Sequence, residues 1–174
     1  FKGYQALSDG DKKALQHLVN AGKIMNDVSL EQDHSLNRVL KKGLEDAAGK
    51  SSHAAKALML FNSLNGVEGS NGIDEKHIEI FKGVSAKPGR NFYPEDLSVE
   101  EFHRIIKRML EQGRDDEVRK ILSVRTMVRR EGDELKAIDY TEYFAREFSE
   151  IANQLELAAH YTTDELLKDY LGWQ

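Results

Sequence analysis

From Ser8 onward, apolar side chains return every three or four residues, and this spacing constrains the fold more than any other feature of the chain. Ala14, Leu15, Leu18, Val19, Gly22, Met25 and Val28 follow it first. Leu36, Val39, Leu40, Leu44 and Ala47 come next, then Ala54, Ala57, Leu58, Phe61 and Leu64. Such steps place each set on one face of an α-helix. The punctuation agrees. Ser8 or Asp9 is a natural N-cap, with Asp9 and Asp11 near the positive end of the helix. Gly49 ends the second helix, and Ser51 or Ser52 opens the third. Three helices joined by short links predict an antiparallel bundle.

The character changes after Asn65. Gly66–Gly72 and Gly83–Gly89 read as loops, with a short helix expected between them from Asp74 to Phe81. Asn91-Phe92-Tyr93 should approach Pro94 in extended form, because proline disfavours helix in the residue before it. Ser98-Val99-Glu100-Glu101 has the form of a capping box, with Glu101 placed to reach back to the Ser98 amide. Phe102, Ile105, Ile106, Met109 and Leu110 form the stripe that follows, and Gly113 stops it. Val124 to Arg130, the turn Glu131-Gly132-Asp133 and Leu135 to Ile138 predict a β-hairpin. A long helix from about Tyr140 carries Phe144, Phe148, Ile151, Leu155 and Ala158. A last short helix runs from Thr163 to Leu171, capped by Thr162 or Thr163. The expected fold is mainly α: about six helices in a bundle with one β-hairpin. It reads as a single helical domain, 1–174, made of N-terminal helices (1–65), an irregular linking segment (66–97), and a helix, hairpin and helix (98–174).

Charge narrows the function classes. Acidic residues outnumber basic ones, for a net charge of −5, whereas nucleic-acid binding needs a concentrated basic face. Arg104, Lys107, Arg108 and Arg114 alternate with Glu100, Glu101, Glu111, Asp115 and Asp116, the pattern of a solvated helix face. There are no cysteines, which removes disulfides, thiolate zinc sites and cysteine nucleophiles. A reducing cytoplasm is the favoured compartment, without being fixed by this. No run approaches the ~20 apolar residues of a membrane span. Phe1 to Asn20 alternates charged and apolar residues, unlike a secretion signal. A start at Phe1 and an end at Trp173-Gln174 suggest a piece of a larger protein.

The chain carries few groupings suited to reaction chemistry. His17, His34, His53, His77, His103 and His160 include no pair three or four apart and no His-Glu dipeptide, so no zinc-peptidase helix is present. Asn71-Gly72 resembles the middle of a calcium loop, but the acidic residues before it and the closing glutamate are missing. Arg125, Arg129, Arg130 and Lys136 form a basic spot on the hairpin. Arg129 and Arg130 should point to opposite faces, and either would suit an anion or a peptide carboxylate, although Glu131, Asp133 and Glu134 lie close by in sequence. Tyr4, Phe92 and Tyr93 are the aromatics that belong to no obvious stripe.

One block carries a family resemblance. Pro88-Gly89-Arg90-Asn91-Phe92-Tyr93-Pro94-Glu95-Asp96-Leu97-Ser98-Val99-Glu100-Glu101-Phe102 resembles a segment of bacterial dipeptidyl peptidase III proteins, the M49 peptidases. Ser123 to Tyr140, with Val128-Arg129-Arg130 in the first strand, resembles the hairpin that follows in that family, although Asp139 stands where relatives carry proline. Tyr140 to Ala159 resembles the next helix, and Leu15 to Asp27 resembles an early one more weakly. Residues 30–87 match poorly.

The resemblance implies the N-terminal, non-catalytic lobe region of a two-lobed zinc metallopeptidase that removes dipeptides from short peptides. It would form part of the wall of the peptide-binding cleft. Asn91, Phe92 and Tyr93 are then the candidate substrate contacts, and Arg129 and Arg130 the candidate anion contacts. No catalytic or metal-binding residue and no cofactor are expected in this piece. The zinc belongs on a His-Glu helix of the remaining lobe, which would be the partner. No nucleic acid or membrane partner is implied, and the isolated piece is expected to form homodimers. Some relatives carry a Nudix domain ahead of this region, and the glutamate-rich box of that domain is absent here. The competing reading is a non-enzymatic helical interaction module from a degenerate or Nudix-fused relative.

Overall fold

A computed structural model describes residues 2–70, 77–85 and 88–172. In chain order the elements are α1 (Lys2–Gln5), α2 (Asp9–Asp33), α3 (Asn37–Ala48), α4 (Ser52–Leu64), β1 (Glu68–Ser70), β2 (His77–Glu79), a 3-10 turn (Arg90–Phe92), α5 (Val99–Glu111), α6 (Asp115–Ile121), β3 (Thr126–Glu131), β4 (Glu134–Asp139), α7 (Tyr140–Tyr143), α8 (Ala145–Tyr161) and α9 (Glu165–Gly172). The fold is mainly helical, as the periodicity requires, and the described residues form two small antiparallel sheets, β1-β2 and β3-β4. No described helix is long and apolar enough to cross a membrane.

The chain divides into two compact units, residues 1–28 with 144–174 and residues 29–143. In the first, Ala14, Ala158 and Leu171 form the buried core, flanked by Leu18, Leu155, Tyr161 and Leu167. The start of α2 lies so close to the end of α8 that a Cβ built on Gly10 would stand 2.5 Å from the Tyr161 carbonyl oxygen. Asp11 fastens this junction. Its carboxylate accepts from the Ser8 hydroxyl (2.6 Å), the Thr163 amide and hydroxyl (2.8 Å each) and the Thr162 hydroxyl (3.1 Å). These donors, Ser8 first, hold its pKa far below the usual carboxylate range. Asp164, not Thr162 or Thr163, caps α9, since its carboxylate accepts from the Leu166 and Leu167 amides. The expected continuous helix from Tyr140 is broken at Phe144, whose φ of −106° and ψ of 28° separate α7 from α8.

In the second unit, Leu30, Leu44, Phe61 and Val67 form one core and Ile105, Met109, Val118, Ile121, Val128 and Leu135 another. Asn37 is fully buried beside the first. Its side-chain amide donates to the Leu30 carbonyl and its oxygen accepts from the Val67 amide, both at 3.0 Å. Of the stretch expected to be helical from Asp74 to Phe81, His77–Glu79 is a strand paired with Glu68–Ser70, inside what read as a glycine loop. Residues 71–76, including the Asn71-Gly72 pair, lie outside the described residues. The reason is packing: Ile80 and Phe81 join the Phe61 and Val67 core, and Gly69 leaves space for Leu64, whose side chain would lie 2.6 Å from an added Cβ.

The second core is built as its punctuation implies. Ser98 accepts from the Glu101 amide at 3.1 Å and opens α5. Gly113, at φ 73°, closes it. The amide of Gly113 bonds to Leu110 and that of Arg114 to Met109, the paired arrangement that satisfies the last carbonyls of a helix. The hairpin registers Arg129 against Lys136 and Arg130 against Leu135. Gly132, at φ 62°, occupies the first of its two loop positions, where a primed turn needs glycine.

Candidate functional site

The segment from Pro88 to Val99 lies wholly within the second unit. Gly89 and Arg90 both have positive φ, 85° and 49°. A side chain at Gly89 would crowd the Tyr93 ring at 3.1 Å. Arg90, a non-glycine residue in a sparsely populated conformation, forms an ion pair with Asp33 at the end of α2. Together they turn the chain into the 3-10 turn that presents Asn91 and Phe92, and Tyr93 leaves it extended (φ −119°, ψ 160°), as the following proline dictates.

Each of these side chains has a partner inside the unit. The Asn91 amide donates to the Glu31 carbonyl at 2.6 Å, and its own carbonyl accepts from Arg129 at 3.0 Å. Phe92 stacks on Tyr140 with ring centroids 6.4 Å apart. The Tyr93 hydroxyl donates to the Ile121 carbonyl at 2.9 Å, and its ring meets Phe102 edge-on at 5.6 Å. Burial pushes the Tyr93 phenol up from its ordinary pKa.

The two arginines of β3 diverge, as strand alternation requires. Arg129 bonds the Asn91 carbonyl and the Tyr143 hydroxyl (2.9 Å) and lies 4.8 Å over the Tyr143 ring. That hydroxyl donates to Glu31, which also holds Arg38. Arg130 reaches the other side. It donates through Nε to Asp96 (2.9 Å) and through both terminal nitrogens to Glu101 (2.8 Å each). Glu101, expected to turn back to the Ser98 amide, takes Arg130 as its principal partner. This fork, with a smaller contribution from the Ser98 amide, holds its pKa below the ordinary carboxylate range. Asp96 and Glu101 thereby staple the 95–98 turn to the hairpin.

Beside this staple is an open groove of about 440 Å³. Tyr93, Leu97, Phe102, Val99 and Leu122 make its apolar walls, and Glu95 lies at its edge. Its volume falls in the range of small-ligand sites, about 300–1,000 Å³. The sequence singles out Tyr93 as a candidate peptide contact, and none of Glu95, Leu97, Val99 and Leu122. The available signal was Val99, three residues before Phe102 on the apolar stripe of α5 and exposed at its start, whereas Leu122 follows a helix too short to show a period. Among the described residues, no three histidine, aspartate or glutamate side chains come close enough to hold a metal ion.

No family model matches the chain, and no curated protein sequence does. Two solved structures resemble it. The structure of DPP III from Caldithrix abyssi is 30% identical, with a TM-score of 0.73, over 96% of this chain and 30% of that one. The structure of dipeptidyl-peptidase III from Corallococcus sp. strain EGB is 24% identical, with the same TM-score and the same coverage of both chains. At that identity the second likeness concerns the fold alone. The chain thus has a dipeptidyl peptidase III-like fold and spans 30% of the length of the structures it matches.

Proposed function

We propose that the chain is the non-catalytic N-terminal lobe region of a dipeptidyl peptidase III-like zinc metallopeptidase, and that it forms part of the wall of the peptide-binding cleft. The observation that carries this reading is the agreement in fold over 96% of the chain at 30% identity with a DPP III structure. The zinc and the catalytic groups are assigned to the remaining lobe, which is the partner, and short peptides are the substrates.

In this reading the Asn91–Tyr93 turn contributes shape. Its amide and phenol are anchored on the Glu31 and Ile121 carbonyls, so an arriving peptide meets the turn's surface and backbone. Arg129, whose partners are the uncharged Asn91 and Val128 carbonyls and the Tyr143 hydroxyl, keeps its charge for a substrate carboxylate. Arg130, already set against two carboxylates, holds the turn in place. Cut from its partner, the chain exposes Val39 (68%) and Met59 (70%) and should self-associate. A monomer by sedimentation at high concentration contradicts that expectation.

The test is cleavage of a dipeptidyl-arylamide, with added zinc, by the complete gene product and by this chain alone. Cleavage by the complete product only is the expected result. Activity in neither favours the helical interaction module of a degenerate or Nudix-fused relative. Activity of the chain alone refutes the assignment of the chemistry elsewhere.

A further inference from the structure

The groove beside the staple has apolar walls, an acidic edge and a rigid frame. Its walls include two side chains that the fold leaves in water, Val99 at 58% and Leu122 at 56% exposure. Around them the 95–101 segment carries four carboxylates, Glu95, Asp96, Glu100 and Glu101. Arg130 takes up Asp96 and Glu101, and Arg104 adds attraction at Glu101. Glu95, on the groove itself, and Glu100, next to Val99, have no partner among the described residues. The frame is fixed before any ligand arrives. Tyr93 is held by the Ile121 carbonyl and the Phe102 ring, and Arg130 ties both flanks of Leu97–Val99 to β3.

We infer that this groove docks a linear peptide segment in which a bulky apolar side chain adjoins a lysine or arginine. The apolar side chain covers Leu97, Val99, Phe102 and Leu122, and the cation meets Glu95. A wall fixed in advance lowers the ordering cost of binding, and the free carboxylate selects the sign of the charge. A negatively charged segment is disfavoured by the same edge. The inference goes beyond the peptidase reading and needs neither zinc nor cleavage, so it stands or falls separately.

The probe is a fluorescent octapeptide with acetylated and amidated ends and a central Lys-Phe pair, titrated with this chain and followed by anisotropy. Blocked ends remove any contribution from recognition of peptide termini. Binding is expected with a Kd of roughly 10–300 μM, since so small a contact lies at the weak end of specific interfaces. Glu95→Gln weakens it by about threefold to fivefold, and Leu122→Ser by about tenfold through lost apolar contact. Raising salt weakens the wild type more than the Glu95→Gln variant. A Glu-Phe analogue binds at least about tenfold more weakly. Leu122 and Glu95 are exposed, so both variants should fold, and circular dichroism verifies this. Leu166→Ser, at a position 83% exposed in the other unit, controls for nonspecific loss. No binding at millimolar concentration, equal binding of the Lys-Phe and Glu-Phe peptides, or unchanged affinity in both groove variants overturns the proposal.

Discussion

Replacing Asn37 by leucine tests whether the second unit depends on one buried amide. The side chain is inaccessible to solvent and serves two backbone groups. The two do not contribute equally. The Leu30 carbonyl keeps the His34 amide at 3.1 Å when Asn37 is lost, so that half of the change costs little. The Val67 amide, in a residue that is itself fully buried, has no replacement acceptor on hand, and leaving such a donor unpaired costs about 1–3 kcal/mol. Leucine keeps the branching of asparagine and leaves no cavity, but its two methyls are bulkier than the amide oxygen and nitrogen, so overpacking adds to the loss. The expected loss is about 2–3 kcal/mol. With a urea slope near ~2 kcal/mol per molar, the midpoint drops by roughly 1 M while the slope holds. Asn37→Asp sharpens the test. It retains the acceptor for Val67 but sets a carboxylate against the Leu30 carbonyl and within reach of Asp33, 3.4 Å from the present amide. Its deficit relative to wild type at each pH should shrink as the pH falls, because the protonated acid regains a donor. An Asn37→Leu variant within about 0.5 kcal/mol of wild type refutes the reasoning, because surface substitutions have effects of that size.

Two glycines of α2 should respond with opposite sign. Gly22→Ala meets nothing within 4 Å and should raise stability by about 0.5–1 kcal/mol, whereas Gly10→Ala drives a methyl to 2.5 Å from the Tyr161 carbonyl and should lower the melting temperature. Asp11→Asn should flatten the acid limb of thermal stability. The depressed native pKa of Asp11 stabilises the fold above the unfolded carboxylate value of about 3.9, and that contribution fades as the pH falls through and below it, so scans between pH 6 and pH 3 separate the two proteins. Arg130→Gln should raise the Glu101 pKa toward its ordinary range in a carboxyl NMR titration, because Arg130 is the principal cause of the depression; an unmoved resonance contradicts the staple.

What was legible in the sequence was whatever depends on neighbours along the chain. Ser98 before a phenylalanine stripe, Gly113 after it and Gly132 between a run rich in β-branched residues and an alternating apolar one each carry a local backbone requirement, and all three appear in place. Helix α6 went unread because seven residues give a stripe of only Val118 and Ile121, too short to establish a period, while its three leading acids resemble a solvated loop. The strand His77–Glu79 was lost because its register depends on Val67 and Leu64, which lie outside its own window. Asn91, Phe92 and Tyr93 were singled out for their chemistry. Their partners, the Glu31 and Ile121 carbonyls and the Tyr140 ring, lie 60, 28 and 48 positions away in sequence, and no periodicity encodes such a pairing. Arg130 shows the same limit: the sequence set it near Glu131 and Asp133, and the fold gave it Asp96 and Glu101.

The clamp on Asp11 joins residues 152 positions apart, so the first unit is assembled from the two ends of the chain while the second is one continuous stretch. Synthesis from the amino end therefore imposes an order. Residues 29–143 have all their own core partners once Tyr143 has been made, and they can fold while the chain is still growing. The amino-terminal helix must wait for α8 and α9, with its apolar stripe open to solvent and available to chaperones. A stall or truncation before Thr162 should leave residues 29–143 folded and the other unit unmade, with the first half of α2 open to proteases.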